Sequence, residues 1–291
     1  MIKESFAALG ASVRDLFRNW RGLLLLAVLY GLLLAGVYFF FSTGVNPSGL
    51  VVTALTLLAV PLFFLFQAAA ANAALPEATA GRIAHRAPRD LVKVLLLAAP
   101  VVVAAVLFVY LLNKLQGWLP KVDEPPHINV AASVLGERPR PLYWQEALLS
   151  TSWLLLLGVL VPLMAAHLWL SAARVGMTAT LKGFHRVVGR AFAARSVLVY
   201  AVGLFLFGLM PYFVLFTRTP LTNAWAEMTV FGVRLALVFV LTLVGWVVTL
   251  GALARVTPPE EGTPVASELA PAEPTPPEPV TEPVAEPQLQ A

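Results

Sequence analysis

The sequence predicts an all-helical protein that crosses a membrane six times, and three observations carry that expectation. Hydrophobic residues make up 59% of the chain and charged residues only 12%, against about 25% charged in a typical soluble domain. The apolar residues gather into six runs, each near the ~20 residues that cross ~30 Å of hydrocarbon. Lys and Arg, finally, collect in short segments beside those runs, where they would meet phospholipid head groups. The move from basic segment to apolar run is made three times. Arg14–Arg21 leads into Gly22–Phe41, Arg82–Lys93 into Val94–Leu112, and Lys182–Arg195 into Ser196–Phe216.

The first element is an amphipathic helix over residues 1–21. Ile2, Phe6, Leu9, Val13, Leu16, Phe17 and Trp20 recur at helical spacing on one side, with Lys3, Arg14, Arg18 and Arg21 opposite. A signal peptide places its apolar core nearer the start and ends in small residues. The pattern here predicts instead a helix lying in the head-group layer.

The six spans are placed at 22–41, 50–71, 91–112, 148–172, 196–216 and 235–254. A Gly- and Pro-punctuated turn, 42–49, joins the first two. The one sizeable loop, 113–147, carries Trp118, Tyr143 and Trp144 at its edges, which suits the interfacial aromatic belt. Counting Lys and Arg sets the orientation. Four in the N-terminal segment, four in 72–93, five in 173–195 and Arg255 make fourteen on one side, against six on the other. The positive-inside rule then puts both termini in the cytoplasm of a bacterial inner membrane. Beyond Arg255, residues 256–291 hold ten prolines and seven glutamates with no Lys or Arg. Such a segment cannot bury enough apolar surface to order itself, so a disordered cytoplasmic tail is expected. It either solvates the protein or docks a protein partner.

An internal repeat runs through this layout. Val60-Pro61-Leu62 in the second span matches Val161-Pro162-Leu163 in the fourth, and Arg82/His85/Arg86 matches Lys182/His185/Arg186. With the N-terminal helix this suggests three hairpins, each a basic elbow followed by two spans.

The lead-in Phe17-Arg18-Asn19-Trp20-Arg21, the six spans and the proline in the second span resemble uncharacterised bacterial inner-membrane families. These include the group related to the membrane domain of glycerophosphodiester phosphodiesterases. The resemblance covers layout over 1–255 and implies a membrane location. It implies no phosphodiesterase activity, because no soluble catalytic domain accompanies it, and it transfers no site residue.

The chemistry available to the chain is narrow. With no cysteine, disulfides, Fe–S clusters and thiolate zinc sites are excluded. No Asp or Glu lies within a predicted span, which argues against a carboxylate relay. HExxH, GxxxxGK[ST] and GxGxxG are absent, and His85, His127, His167 and His185 lack metal-ligand spacing. Ser152 and His167 lie ~22 Å apart along one helix, too far for a nucleophile–base pair. The sequence therefore predicts a non-enzyme without cofactor or metal, and the basic residues predict membrane lipid, not nucleic acid, as the partner. Head-group contact is expected from Arg14, Arg18, Arg21, Arg82, Arg86, Arg89, Lys182, Arg186 and Arg190.

Four polar residues fall at membrane depth. Gln67 and Asn72 follow Pro61, and His167 and Ser171 follow Pro162 on one helix face. They either hydrogen-bond between packed helices or line a polar cavity open to the cytoplasm. The first alternative leads to a scaffold or accessory protein, the second to a small-solute or lipid transporter or permease subunit.

Overall fold

A computed structural model describes residues 2–42, 49–76, 78–118, 144–217 and 223–257, without side chains at 40–42, 49–57, 118 and 144–146. The turn 43–48, the loop core 119–143 and the tail from 258 onward lie outside the described residues. Everything described is helix or short connection; no strand occurs among these residues. The elements are α1 (Ile2–Arg18), α2 (Trp20–Ser42), α3 (Gly49–Ala73), α4 (Ala80–Trp118), α5 (Trp144–Trp153), a π-helical segment (Leu154–Leu160), α6 (Val161–Val175), α7 (Met177–Lys182), α8 (Phe184–Ala191), α9 (Ala194–Leu204), a second π segment (Phe205–Leu209), α10 (Met210–Phe216) and α11 (Ala224–Val256).

Five stretches of helix among the described residues are long and apolar enough to cross a membrane: Trp20–Phe39, Ala80–Gly117, Ala147–Val175, Ala194–Phe216 and Ala224–Val256. The second expected span falls on α3, whose apolar stretch with described side chains is Leu58–Ala73.

The helices outrun the apolar runs read from sequence. Backbone hydrogen bonding does not stop where the membrane does. The 39 residues of α4 extend about 58 Å at 1.5 Å per residue, so the second elbow and its span form one unbroken helix. The first elbow is separated from α2 only at Asn19. There the side-chain oxygen of Asn19 accepts from the Gly22 amide at 3.2 Å, capping α2 as Asn does at helix starts. A Cβ on Gly22 would lie 2.5 Å from the Asn19 amide nitrogen, so glycine gives the cap its room. The third elbow is broken into α7 and α8 at Gly183, after a turn in which Gly176 takes φ 85°.

Prolines accompany the two π segments, although Pro61, Pro88 and Pro100 stand in α-helix without one. Pro162 and Pro211 each stand just after one. A proline cannot donate to the carbonyl four residues back and collides with it, and widening the turn relieves the clash. The Val161 amide accordingly donates to Leu156, five residues back. The carbonyl that Pro162 orphans is that of Gly158, and Tyr200 of α9 donates its hydroxyl to it at 2.8 Å. Membrane helices tolerate proline when a neighbour satisfies the freed group in this way.

Burial is concentrated at one end of the molecule. Bonds between residues 4–19, 72–90, 171–195 and 249–257 gather α1, the elbows and the end of α11 there, and most of the basic residues stand on it; we call it the basic end. Here α3, α6 and α11 are buried around most of their circumference, through Phe66–Asn72, Leu163–Ala172 and Leu243–Ala254. Small residues permit this close approach. Ala68, Ala69, Ala70 and Ala71 are wholly buried, and a Cβ on Gly203 would sit 2.1 Å from Thr249 Oγ1 on α11. Towards the far end the helices expose apolar side chains, Val102 to Leu115 on α4 and Trp225 to Val240 on α11 among them.

The first two elbows share a burial register. Ser5, Leu9, Ser12 and Leu16 are buried on α1, and Ile83, Ala87, Asp90 and Val94 on α4, both in the pattern i, i+4, i+7, i+11. On α7–α8 Thr180, Val187 and Ala191 are buried at the first, third and fourth places of that spacing, but Phe184 in the second place is exposed.

Candidate functional site

The four polar residues singled out by depth all come from the buried ends of α3 and α6, and each is tied to a different neighbour. Gln67 accepts at Oε1 from the indole N–H of Trp246 on α11 at 2.8 Å. That indole is held in turn by Phe207, ring centroids 5.3 Å apart and nearly perpendicular. Asn72 donates from Nδ2 to the Ala68 carbonyl and to Asp90 Oδ2 on α4, both at 2.9 Å. The other Asp90 oxygen takes Lys93 Nζ at 2.7 Å.

His167 lies between its own helix and α9, Nδ1 3.0 Å from the Leu163 carbonyl and Nε2 3.2 Å from Ser196 Oγ. A carbonyl only accepts, so Nδ1 carries a proton, and in the neutral ring Nε2 accepts from Ser196. Ser171 meets Thr180 Oγ1 at 3.0 Å, and Thr180 spends its own proton on the Gly176 carbonyl, so Ser171 is the donor.

Among the described residues no hydrogen bond joins one of the four to another. His167 is two residues, about 200°, from Trp169 on α6, and it is Trp169 that faces α3 by pairing with Phe63, centroids 6.5 Å apart. The result is a set of interhelical clasps, α3 to α11, α3 to α4, α6 to α9 and α6 to α7. Among the described residues two buried side-chain polar atoms are left without partners, Trp169 Nε1 and Asn72 Oδ1.

Several members of these clasps escaped the sequence reading. Asp90 sits one residue outside the apolar run, and its signal was Lys93 three residues on, the spacing of a helical ion pair. Ser196 and Thr180 are small hydroxyls with no local signature. Arg174 reaches the Ala254 and Thr257 carbonyls and so caps the end of α11, a favourable place for a cation at a helix C-terminus.

The basic residues expected at head groups are on the surface: Arg14, Arg18, Arg21, Arg82, Arg86, Arg89, Lys182 and Arg186 are exposed and Arg190 is half-buried. Arg21 also lies over the Trp20 ring, 5.7 Å from its centroid. The helix α1 has three faces where the sequence suggested two. Ser5, Leu9, Ser12 and Leu16 pack inward, Ser12 against Gly251 of α11. Ile2, Phe6, Val13 and Phe17, with Trp20 at the start of α2 beyond them, form an adjoining exposed apolar ridge, and the cations hold the third side. Ion pairs from Glu4 to Arg195 and from Asp15 to Arg255 fasten the helix to α9 and α11. The Asn19 amide, donating to the Ala78 carbonyl at 2.8 Å, fastens it to the α3–α4 turn.

Among the described residues no cluster of three or more His, Asp or Glu is placed to hold a metal ion. No family model, curated protein or solved structure matches this chain.

Proposed function

We propose that the chain is a non-catalytic, six-span protein of a bacterial inner membrane with a scaffold or accessory role at the cytoplasmic face. The basic end is the cytoplasmic one, by the same fourteen-to-six excess of Lys and Arg. The α1 ridge dips into the acyl chains while Arg14, Arg18, Arg21 and the cations of the other elbows meet the head groups. The single observation that carries the scaffold reading is the filled basic end. Gln67, Asn72 and His167 are buried and engaged with neighbouring helices, around four wholly buried alanines. That arrangement favours rigid packing over a water-filled route. The small-solute or lipid transporter reading draws on one feature, the exposed apolar far halves of α4 and α11.

The chain has no cysteine of its own, so single cysteines report without background. Cysteines at 67 and 167 should resist a water-soluble maleimide applied from the basic end, and rapid labelling of both would move the conclusion to the transporter. Cysteine in place of Glu227 should label in intact cells, and in place of Arg86 only after permeabilisation. The opposite pattern would overturn the orientation.

A further inference from the structure

Charge is divided sharply along the chain. Residues 258–291 hold seven glutamates and no Lys or Arg, so the residues before them set 20 Lys and Arg against only nine of the 16 Asp and Glu. That is a net charge of +11 on residues 1–257, which the last 34 residues lower to +4. The excess is displayed at the basic end. Arg14 and Arg18 on α1, Arg86 and Arg89 on α4 and Lys182 on α7 are all exposed. The acidic segment sets out from the same place. Helix α11 ends at Val256, the Thr257 carbonyl is held by Arg174, and Arg255 is paired with Asp15 of α1. Asp15 adjoins Arg14 and stands three residues before Arg18, so the chain beyond Thr257 starts beside those cations.

We propose that residues 258–291 dock on the basic end of their own chain, glutamates against these cations, and so compete with anionic head groups for them. Tethering decides the occupant. A coil of that length spans roughly 30–35 Å, at about 5–6 Å times the square root of the residue number, and α1, with 17 residues, is about 25 Å long. The cations beside α11 are therefore met at an effective concentration in the millimolar range, which a second copy or a soluble acidic partner at micromolar level does not match. Spacing decides how the segment lies. Glu273, Glu278, Glu282 and Glu286 each precede a proline, and in the extended form that proline favours they stand about 12–16 Å apart. Arg14 and Arg18 are only about 6 Å apart along their helix, so one strand offers each elbow one or two carboxylates at a time. Such exposed pairs are individually weak, and lipid can displace them. Each contact is made to a single helix, which keeps its cations when the bundle opens, so docking controls access to the elbows without stabilising the fold. The proposal rests on the reading that the basic end meets head groups, and it adds a built-in competitor that sets how much anionic lipid is needed.

The test compares the unmodified chain with a full-length chain in which all seven glutamates after Thr257 are replaced by Gln, both in mild non-ionic detergent. A fluorescent peptide of residues 258–291 should bind the Gln chain saturably, one peptide per chain. The unmodified chain, its surface already occupied, should bind about four- to tenfold more weakly, as an effective concentration near 1 mM and an intrinsic dissociation constant of about 0.1–0.3 mM require. Binding should vanish at about 1 M salt, where charges are screened beyond about 3 Å, a series that needs no change in the helices. Arg14→Gln/Arg18→Gln/Arg86→Gln/Arg89→Gln should weaken it as well. By native mass spectrometry the Gln chain should retain about four- to tenfold more phosphatidylglycerol than the unmodified chain, and added peptide should reverse the gain. No binding of the peptide to the Gln chain, equal binding to both chains, or binding indifferent to the four arginines would overturn the docking. A gain in phosphatidylglycerol without saturable peptide binding would make net charge alone the cause, and would overturn it too. If neither chain retained phosphatidylglycerol above phosphatidylcholine, the head-group reading and the competition would both fall, while peptide binding would still decide the docking.

Discussion

Replacing Tyr200 with Phe deletes one hydroxyl and keeps the ring, which packs edge-on against Phe207 at 5.9 Å. What is lost is the 2.8 Å bond to the Gly158 carbonyl. Hydrogen bonds between membrane helices average only about 0.6 kcal/mol and reach about 1.7, because a separated helix finds other partners for its polar groups. The Gly158 carbonyl is a special case. Pro162 has no N–H to offer it, whether α6 is docked or separated, so the contact with Tyr200 is a clear gain on assembly. We expect Tyr200→Phe to cost about 1.5 kcal/mol, near the top of that range. Pro162→Ala restores the amide and lets the π segment tighten to an α turn, giving the carbonyl a partner within its own helix. In that background Tyr200→Phe should cost only about 0.5 kcal/mol, leaving about 1 kcal/mol of coupling in a double-mutant cycle. Reversible unfolding in bicelles, by steric trapping or denaturing-detergent titration, measures both. Equal costs in the two backgrounds would refute the link between the proline and the tyrosine. A cost below about 0.3 kcal/mol in the parent would deny the bond any role in stability.

Two further outcomes are expected. Gly203→Ala gains helix propensity, worth about 1 kcal/mol, but places a Cβ 2.1 Å from Thr249 Oγ1 and 2.8 Å from its Cβ. Overpacking of this kind costs about 1–3 kcal/mol, so the net effect should be a loss, partly recovered by Thr249→Ala; a stabilised single variant would show that α9 and α11 are further apart. Stopping the chain after Thr257 should leave detergent melting unchanged, whereas stopping after Arg255 removes the Thr257 carbonyl that Arg174 holds and should lower it by a few degrees. Identical melting of the two truncations would show that this cap does not matter.

The apolar runs made the helices legible because in lipid a continuous backbone hydrogen-bond ladder is obligatory. Run ends mark where side chains change, not where that ladder stops, which is why α4 and α11 extend well past them. Partners were harder. Depth placed Gln67, Asn72, His167 and Ser171 near one level, but helical rotation decides what each one meets, and a uniformly apolar helix carries little rotational signal. On α1 the error had a different source. The inward face is marked by Ser5 and Ser12 as much as by Leu9 and Leu16, and a search for hydrophobic stripes passes over small polar residues that allow close packing. Reading Ser5, Leu9, Ser12 and Leu16 as one register, and finding it again at Ile83, Ala87, Asp90 and Val94, would have marked the inward faces of the first two elbows without any matched motif.

The uneven burial along the bundle has a bearing on how the protein comes apart. Side chains that interlock at the basic end give way at the far end to exposed apolar side chains, whose surroundings a separated helix would share. Opening of the far halves therefore gives up little, and resistance should reside in a cooperative unit formed by the inner ends of α3, α6 and α11 with α1 laid across them. A molecule pulled from the far end would yield gradually along α4 and α11 and then resist sharply. Pulled by α1, it would meet its strongest resistance first.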